Sequence, residues 1–439
     1  MKKLYFVLFV LLISSQLSAT TYTSTQNGSW TNPTTWSPVG VPIPGDDVVI
    51  NHDVILNTDF AYTTGSISIG VLGTLVQDAT LRDLWLNGVN ATLNNDGVFT
   101  IDNLLLSIGS CSNTGDFNVR VLANFITLNN STLGTVAGLD SMYNDGAINN
   151  NGTFNISAFT NDGTIDNYGV ISGLTTVVDS MLNNGVFTNH TNALLEADSC
   201  TNTMTFTNDG VIVFNQFTNT GTFINNNNLL FDDFTNTLSF TNKDTLLGSG
   251  SMINTGDFDN QSGSYFSLGV SLLNADAVNL DANFNNDGEM VLGDSFFNFD
   301  TITGGATGRF TVVDSSVNYT DGYMIGSFDF CDLTPPSTPI KIDYNLGAVD
   351  ANITYCAAVG VAETLNTRTI AVYPNPTTGV LTVAIDKYET IEIYNVLGEQ
   401  LVNTHLKVVD MTSYNNGLYI LQVKNEQGEI VYQSKVVKH

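Results

Sequence analysis

The chain has 439 residues, a formal charge of −29, and a composition that is 42% hydrophobic and 10% aromatic. It is too long for one compact domain by the usual size prior and too aromatic for a disordered acidic chain. It is also too acidic for a nucleic-acid partner, which needs a basic footprint. Residues 1–19 read as a secretory signal peptide. Lys2 and Lys3 form a positive start, Leu4 to Leu12 is an unbroken apolar run, Ser14-Ser15-Gln16 turns polar, and Ala19 suits the last position before cleavage. The apolar run is shorter than the ~20 residues that span a bilayer.

Residues 20–57 come next. Trp30 and Trp36 bracket Thr31-Asn32-Pro33-Thr34-Thr35, and Pro44-Gly45-Asp46-Asp47-Val48-Val49-Ile50 follows. This Trp-x5-Trp … Pro-Gly-Asp-Asp-Val-Val-Ile opening resembles the start of bacterial β-helical surface domains. The resemblance implies an N-terminal cap and first coil, without a catalytic activity. An open sheet edge needs such a cap.

Residues 58–330 are repetitive and acidic. Their only bases are Arg82, Arg120, Lys243 and Arg309. Asn-x-Gly recurs, as at Asn95-Asp96-Gly97, Asn144-Asp145-Gly146, Asn161-Asp162-Gly163, Asn208-Asp209-Gly210 and Asn219-Thr220-Gly221. The best internal match has a 17-residue offset, from Asn144 to Asn161 and from Asn150 to Asn167. A unit Phe-Thr-Asn-x-Gly starts at Phe159, Phe206 and Phe217. Asn-Gly and Asp-Gly are expected to supply the positive φ of tight turns. Alternation is expected to place Phe, Ile and Val inward and Thr, Asn and Asp outward. The same pattern fits antiparallel hairpins. Self-similarity, units as short as one coil and the lack of helical periodicity favour a parallel β-helix, or β-solenoid, whose coils bury their apolar faces by stacking. Stacked asparagines are expected to form ladders along the axis. The irregular spacing of the motif implies unequal coils and protruding loops. About a dozen coils at ~4.8 Å each would give a rod of roughly 55–60 Å.

Residues 331–368 contain Cys331, Cys356 and the run Pro335-Pro336-Ser337-Thr338-Pro339. An exported chain with an even number of cysteines permits disulfides, and Cys331–Cys356 is the expected bridge. Cys111 and Cys200 read as buried small apolar residues or as a second bridge.

From residue 369 the composition changes and lysine returns. Tyr373-Pro374-Asn375-Pro376-Thr377-Thr378-Gly379 opens the tail. Ile391-Glu392-Ile393-Tyr394-Asn395-Val396-Leu397-Gly398 and Gly417-Leu418-Tyr419-Ile420-Leu421 follow, and Lys435-Val436-Val437-Lys438 closes it. Alternating strands joined by glycine turns suggest a small β-sandwich. Pattern and order resemble the type IX secretion C-terminal sorting domain over residues 369–439. The resemblance implies an Ig-like β-sandwich that the type IX translocon reads. It also implies removal by a sortase-like peptidase between about Ala357 and Arg368, and frequent attachment of the mature protein to anionic lipopolysaccharide. It assigns the recognised signal to Tyr373, Pro374, Asn375, Pro376, Gly379, Gly398, Gly417, Tyr419, Lys435 and Lys438. Ser141, Ser180, Thr245 and Thr301 fit Asp-Ser/Thr-apolar, a pattern resembling the O-glycosylation sites of bacteria with this secretion system.

The fold expected is therefore all-β: a parallel β-solenoid passenger followed by an Ig-like sandwich. The expected role is that of an exported, non-enzymatic surface protein, adhesin-like or structural, with a glycan or cell-surface ligand. The alternative is a secreted polysaccharide lyase or glycoside hydrolase of the β-helix type. A glycosidase needs a carboxylate pair across the scissile bond, and the adjacent pairs Asp46-Asp47 and Asp232-Asp233 point to opposite sides of a strand. His52 and His190 are the passenger's only histidines, and His190 reads as a turn or surface residue. No cofactor is expected. Calcium is the one cation the Asn-Asp-Gly oxygens could suit, although neither an EF-hand loop nor a Gly-Gly-x-Gly-x-Asp repeat is present.

Overall fold

The computed structural model describes residues 19–173, 177–275, 283–334, 341–356, 371–373, 375, 377–384, 390–395, 400–425 and 430–438. The expected signal peptide (apart from Ala19), the run at 335–339, the cleavage segment, Pro374, Pro376 and Gly398 lie outside the described residues. The chain divides into two units, 1–358 and 359–439.

The first unit opens with a short cap. Thr21–Ser24 pairs antiparallel with Trp36–Ser37 and parallel with Asp47–Ile50. Trp30 and Trp36 meet edge to face with centroids 5.3 Å apart, and the Trp36 indole donates to the Trp30 carbonyl at 2.9 Å. Both rings are buried over the core.

A parallel β-solenoid of about 14 turns then runs over residues 48–332. At ~4.8 Å per turn the stack is about 65 Å long, longer than a dozen coils would give. Each turn has three sides. One turn runs through Thr205–Asn208, Val211–Phe214 and Gln216–Asn219, and the next through Thr222–Asn225, Asn228–Phe231 and Asp233–Asn236. Inward residues stack in register: Ile212 on Leu229, Phe217 on Phe234, Phe206 on Phe223. Ring centroids along Phe187, Phe206, Phe223 and Phe240 are 4.6, 4.7 and 5.1 Å apart. The phenyl groups thus repeat at the coil spacing and fill the core from turn to turn.

The asparagines differ from expectation in their side. In Thr205-Phe206-Thr207-Asn208, Phe206 and Asn208 are both buried. Residues i and i+2 share a strand face, so the final Asn of each unit points inward at the corner. Two ladders result. One joins Asn95, Asn113, Asn130, Asn150, Asn167, Asn189, Asn208, Asn225, Asn242, Asn260 and Asn286. The other joins Asn124, Asn144, Asn161, Asn183, Asn202, Asn219, Asn236, Asn254, Asn274, Asn298, Asn318 and Asn345. Each Nδ2 donates to the next coil's Oδ1. Its second hydrogen commonly reaches a backbone carbonyl of the next corner, as from Asn208 to the Asn228 carbonyl at 3.0 Å. An amide has two donors and two acceptor sites, so this geometry satisfies a polar group inside the core, where an unpaired one would be costly.

Two ladders also explain the irregular motif spacing. Asn208 and Asn219 belong to different corners of one turn, so Phe206 and Phe217 start the same motif on two faces. The 17-residue offset is one full coil, Asn144 to Asn161 and Asn150 to Asn167.

The corner glycines are needed for a reason other than positive φ. None of Gly97, Gly115, Gly146, Gly163, Gly210 or Gly221 is among the positive-φ glycines. A Cβ on Gly163 would instead lie 2.1 Å from the Gly146 carbonyl oxygen, and one on Gly115 2.2 Å from that of Gly97. Backbone of successive corners stacks too closely for any side chain.

Strand pairing continues past residue 330, the expected end of the solenoid. Asp329–Asp332 pairs with Arg309–Val312, and Ala348–Val349 with Tyr323–Met324. A Cys331–Cys356 disulfide, with Cα atoms 4.5 Å apart, ties the last full coil to the closing segment. Cys111 and Cys200 are not bridged and are buried. They occupy inward columns on different faces, beside Leu93 and Leu128 and beside Met181 and Phe217. Burial pushes both thiols well up.

The second unit has two antiparallel sheets. One is ordered 371–373, 380–384, 408–410; the other is ordered 400–404, 390–395, 417–424, 430–438. Their inward residues, among them Leu381, Val383, Ile391, Ile393, Val409, Leu421 and Val436, form one core.

Candidate functional site

The solenoid presents outward columns as well as inward ones. On the face that carries Phe217, the early coils are unusual. Leu84 and Leu86 point inward, so Asp83 and Trp85 point outward. Register places Ala61, Trp85, Leu105, Ala123 and Tyr143 in one outward column. Asp83, Asn103, Val121 and Ser141 form the column beside it. Asp59, Phe60, Trp85, Leu105, Val121 and Ala123 are among the residues lining a cleft of about 570 Å³. Trp85 is 50% exposed, whereas Trp30 and Trp36 are each 1% exposed.

Charge around the cleft is strongly paired. Arg82 binds Asp78 through two contacts, at 2.9 and 2.7 Å, with Asp59 at 3.9 Å. Arg120 binds the buried Asp102 at 2.6 and 2.8 Å and approaches Asp140 at 3.7 Å. Hydrogen bonds from Arg120 hold the Asp102 carboxyl below its usual range against the opposing effect of burial. Asn103 donates to Asp83 Oδ1 at 2.7 Å. A second concavity of about 370 Å³ lies on another face and includes Tyr265, Glu289, Arg309 and Asp329, which follow one another in register. Asp329 there accepts from Thr354 at 2.7 Å and so belongs partly to the closing segment.

The acidic pairs of the sequence are engaged in the coils. Asp46 accepts backbone hydrogens from Thr20 and Ile43 at 3.0 and 2.9 Å, and Asp47 accepts from Ser66 at 2.8 Å. Asp232 accepts from Ser249, while Asp233 accepts from Gln216 and the Ser251 amide. The Asn-Asp-Gly carboxylates behave alike: Asp162 binds Tyr143 and Asn184, and Asp209 binds Asn226. Among the described residues no three His, Cys, Asp or Glu side chains converge as a metal site. His190 is a corner residue, stacked on Tyr168 at 3.8 Å and bonded to Asp166 at 2.9 Å. His52 contacts Ser24 at 3.1 Å.

Ser141 and Ser180 are exposed on the Trp85 face, whereas Thr245 and Thr301 are half-buried and lie on the other two faces. The structure does not gather the four.

In the tail, the opening and closing motifs meet. Asn375 accepts from the Val437 amide at 2.8 Å and donates to the Lys435 carbonyl at 2.7 Å. Thr377 donates its amide to Val437 at 2.8 Å. Tyr373 pairs with Thr382. A Cβ on Gly379 would meet Thr412 at 2.4 Å. Gly417 begins the strand 417–424, Tyr419 donates to the Asn415 carbonyl at 2.6 Å, and Lys438 reaches Asn416 at 3.3 Å. Residues 371–439 match the family described as a secretion system C-terminal sorting domain. The sorting domain directs the protein across the outer membrane to the cell surface or extracellular space, and it implies an interaction with the type IX machinery. Comparison with curated proteins and with solved structures finds no match.

Sequence reading does not single out the Trp85 cleft. A signal is present: period-2 alternation in Asp83-Leu84-Trp85-Leu86 puts the indole on the opposite side from two core leucines. Which residues of other coils stand beside it depends on coil register, which alternation does not supply.

Proposed function

We propose that the solenoid is a non-enzymatic, adhesin-like rod displayed outside the cell. The Trp85 cleft carries this reading, since a concave, mostly apolar surface with a half-exposed indole and a few polar groups at its rim is the usual form of a binding site. The commitment of Asp46, Asp47, Asp232 and Asp233 to hydrogen bonds within the coils supports a structural rather than catalytic use of these acids. In this reading, residues 1–19 deliver the chain to the periplasm. The translocon takes the sorting domain, a sortase-like peptidase removes it within 357–368, and anionic lipopolysaccharide holds the passenger at the surface. The four Asp-Ser/Thr sites carry O-glycans.

The test compares cells with and without this protein for adhesion to glycan-coated surfaces and to other cells, and assays the purified protein for cleavage of soluble polysaccharides. Reduced adhesion without polysaccharide cleavage supports the proposal. Release of new reducing or unsaturated ends, lost on substitution of Glu289, would move the function to the polar concavity and to enzyme chemistry.

A further inference from the structure

The outward column at Trp85 changes character along the rod. Beyond Tyr143 it continues as Thr160, Leu182, Thr201, Thr218 and Thr235, and it turns apolar again at Ile253, Leu273, Phe297 and Val317. Threonine therefore satisfies the solenoid at the same position in later coils, and folding does not require a half-exposed indole or the Leu105 and Ala123 beside it. On these early turns the column sets the Trp85 ring and its apolar floor beside the carboxylates of Asp59 and Asp83.

Resting on the proposed role, we infer that the Trp85 cleft binds a neutral glycan. The Trp85 ring offers a flat, electron-rich face to the C–H-bearing side of a pyranose, with Leu105, Val121 and Ala123 extending the apolar floor over successive coils. Polar orientation comes from the rim. Asp59 and Asp83 each use Oδ1 toward protein groups, and no hydrogen bond from the described residues reaches their Oδ2 atoms. Those carboxylate oxygens accept from sugar hydroxyls. A pocket that is mostly apolar with a few placed polar groups is the usual design for such ligands.

The charge pattern selects against anionic sugars. Arg82 and Arg120 are held by Asp78 and Asp102, with Asp59 and Asp140 close by. Among the described residues no unpaired cation lines the cleft, and the unneutralised rim charge is negative. A uronate or sialic acid would meet like charge in a partly desolvated site, which costs affinity. The same repulsion opposes an acidic protein partner, including a second copy of this chain.

Intrinsic fluorescence isolates the site. Trp85 is the only exposed tryptophan of the three, so acrylamide quenching of the full chain reports on the cleft. Cellohexaose, laminarihexaose, mannohexaose and chitohexaose serve as neutral probes, and hexagalacturonate as the anionic control. At least one neutral probe is expected to protect Trp85 from quenching, and hexagalacturonate is not. By calorimetry, W85A and Leu105→Lys should each weaken binding about tenfold or more, while W85F retains most of it. Far-UV circular dichroism verifies that the variants fold.

Protection by none of the neutral probes, equal protection by hexagalacturonate, or unchanged binding by W85A would each overturn the inference. Protection that rises with protein concentration alone would assign the cleft to a second copy and also overturn it. If glycan binding fails while cells still lose adhesion without the protein, the adhesin reading survives and only the glycan assignment falls. If a bound probe is cleaved, the glycan assignment stands and the non-enzymatic reading falls.

Discussion

Replacing Asn208 tests whether the buried ladders hold the solenoid. Its side chain is fully buried and makes four polar contacts. Oδ1 accepts from Asn189 at 3.0 Å and from the Gly210 amide at 3.1 Å; Nδ2 donates to Asn225 at 2.8 Å and to the Asn228 carbonyl at 3.0 Å. Asn208→Ala removes all four and strands their partners. With about 1 kcal/mol net per bond and ~1–3 kcal/mol for each group left unpaired, a loss of about 3–5 kcal/mol is expected after local relaxation. Asn208→Asp should cost about 2 kcal/mol more at neutral pH, because a carboxylate only accepts and would face Asn225 Oδ1 and the Asn228 carbonyl with no cation nearby. Burial would raise the new carboxyl's pKa above the unfolded value. Its penalty relative to alanine should therefore shrink as pH falls toward the carboxyl range, where protonation restores one donor. Hydrogen exchange of peptides spanning 189–228 gives local stabilities and avoids assuming that the two-unit chain unfolds in one step. Asn226→Ala, which loses one contact to Asp209 at 2.7 Å, should stay within about 1 kcal/mol of wild type. If Asn208→Asp matched Asn208→Ala, or if both fell within that margin, directional bonding in the ladder would not be what stabilises the stack.

Other substitutions probe separate parts of the argument. Gly163→Ala should destabilise by more than about 2 kcal/mol, since its Cβ would sit 2.1 Å from a carbonyl oxygen. Gly263→Ala should cost only about 1 kcal/mol, because φ is +87° but the space is open; thermal melts of the pair check the order. In the tail, burial works to raise the Glu392 carboxyl, but Lys424 at 2.6 Å and Tyr394 together leave it below its usual value. Its contribution is therefore present above the unfolded carboxyl pKa and lost as pH falls through the lower folded one. Lys424→Met should move acid unfolding of peptides 390–395 and 417–424 to higher pH, as read by hydrogen exchange. Serine at both Cys331 and Cys356 should lower the stability of the closing segment by about 3 kcal/mol, as expected for a loop of 25 residues, seen as faster exchange at 344–356. No change there would show that the last coil is closed by packing alone.

The recurrence from Asn144 to Asn161 is a property of the sequence. Together with the short self-similar units and the lack of helical periodicity it points to stacked coils, one of which the 17-residue offset proves to be. The ordered motifs from Tyr373 to Lys438 likewise mark the sorting domain by their succession alone. These features are legible because they repeat or follow one another along the chain. Tertiary structure decides what depends on neighbours in other coils. Alternation already puts Asn208 on the Phe206 side, but a buried amide is tolerable only when Asn189 and Asn225 lie directly before and after it. The glycine corners look like ordinary turns until the preceding coil's carbonyl is seen to occupy the Cβ position. The cleft is hidden for the same reason. Asp59, Trp85, Leu105 and Val121 are scattered along the chain, and only the register between coils brings them to one surface.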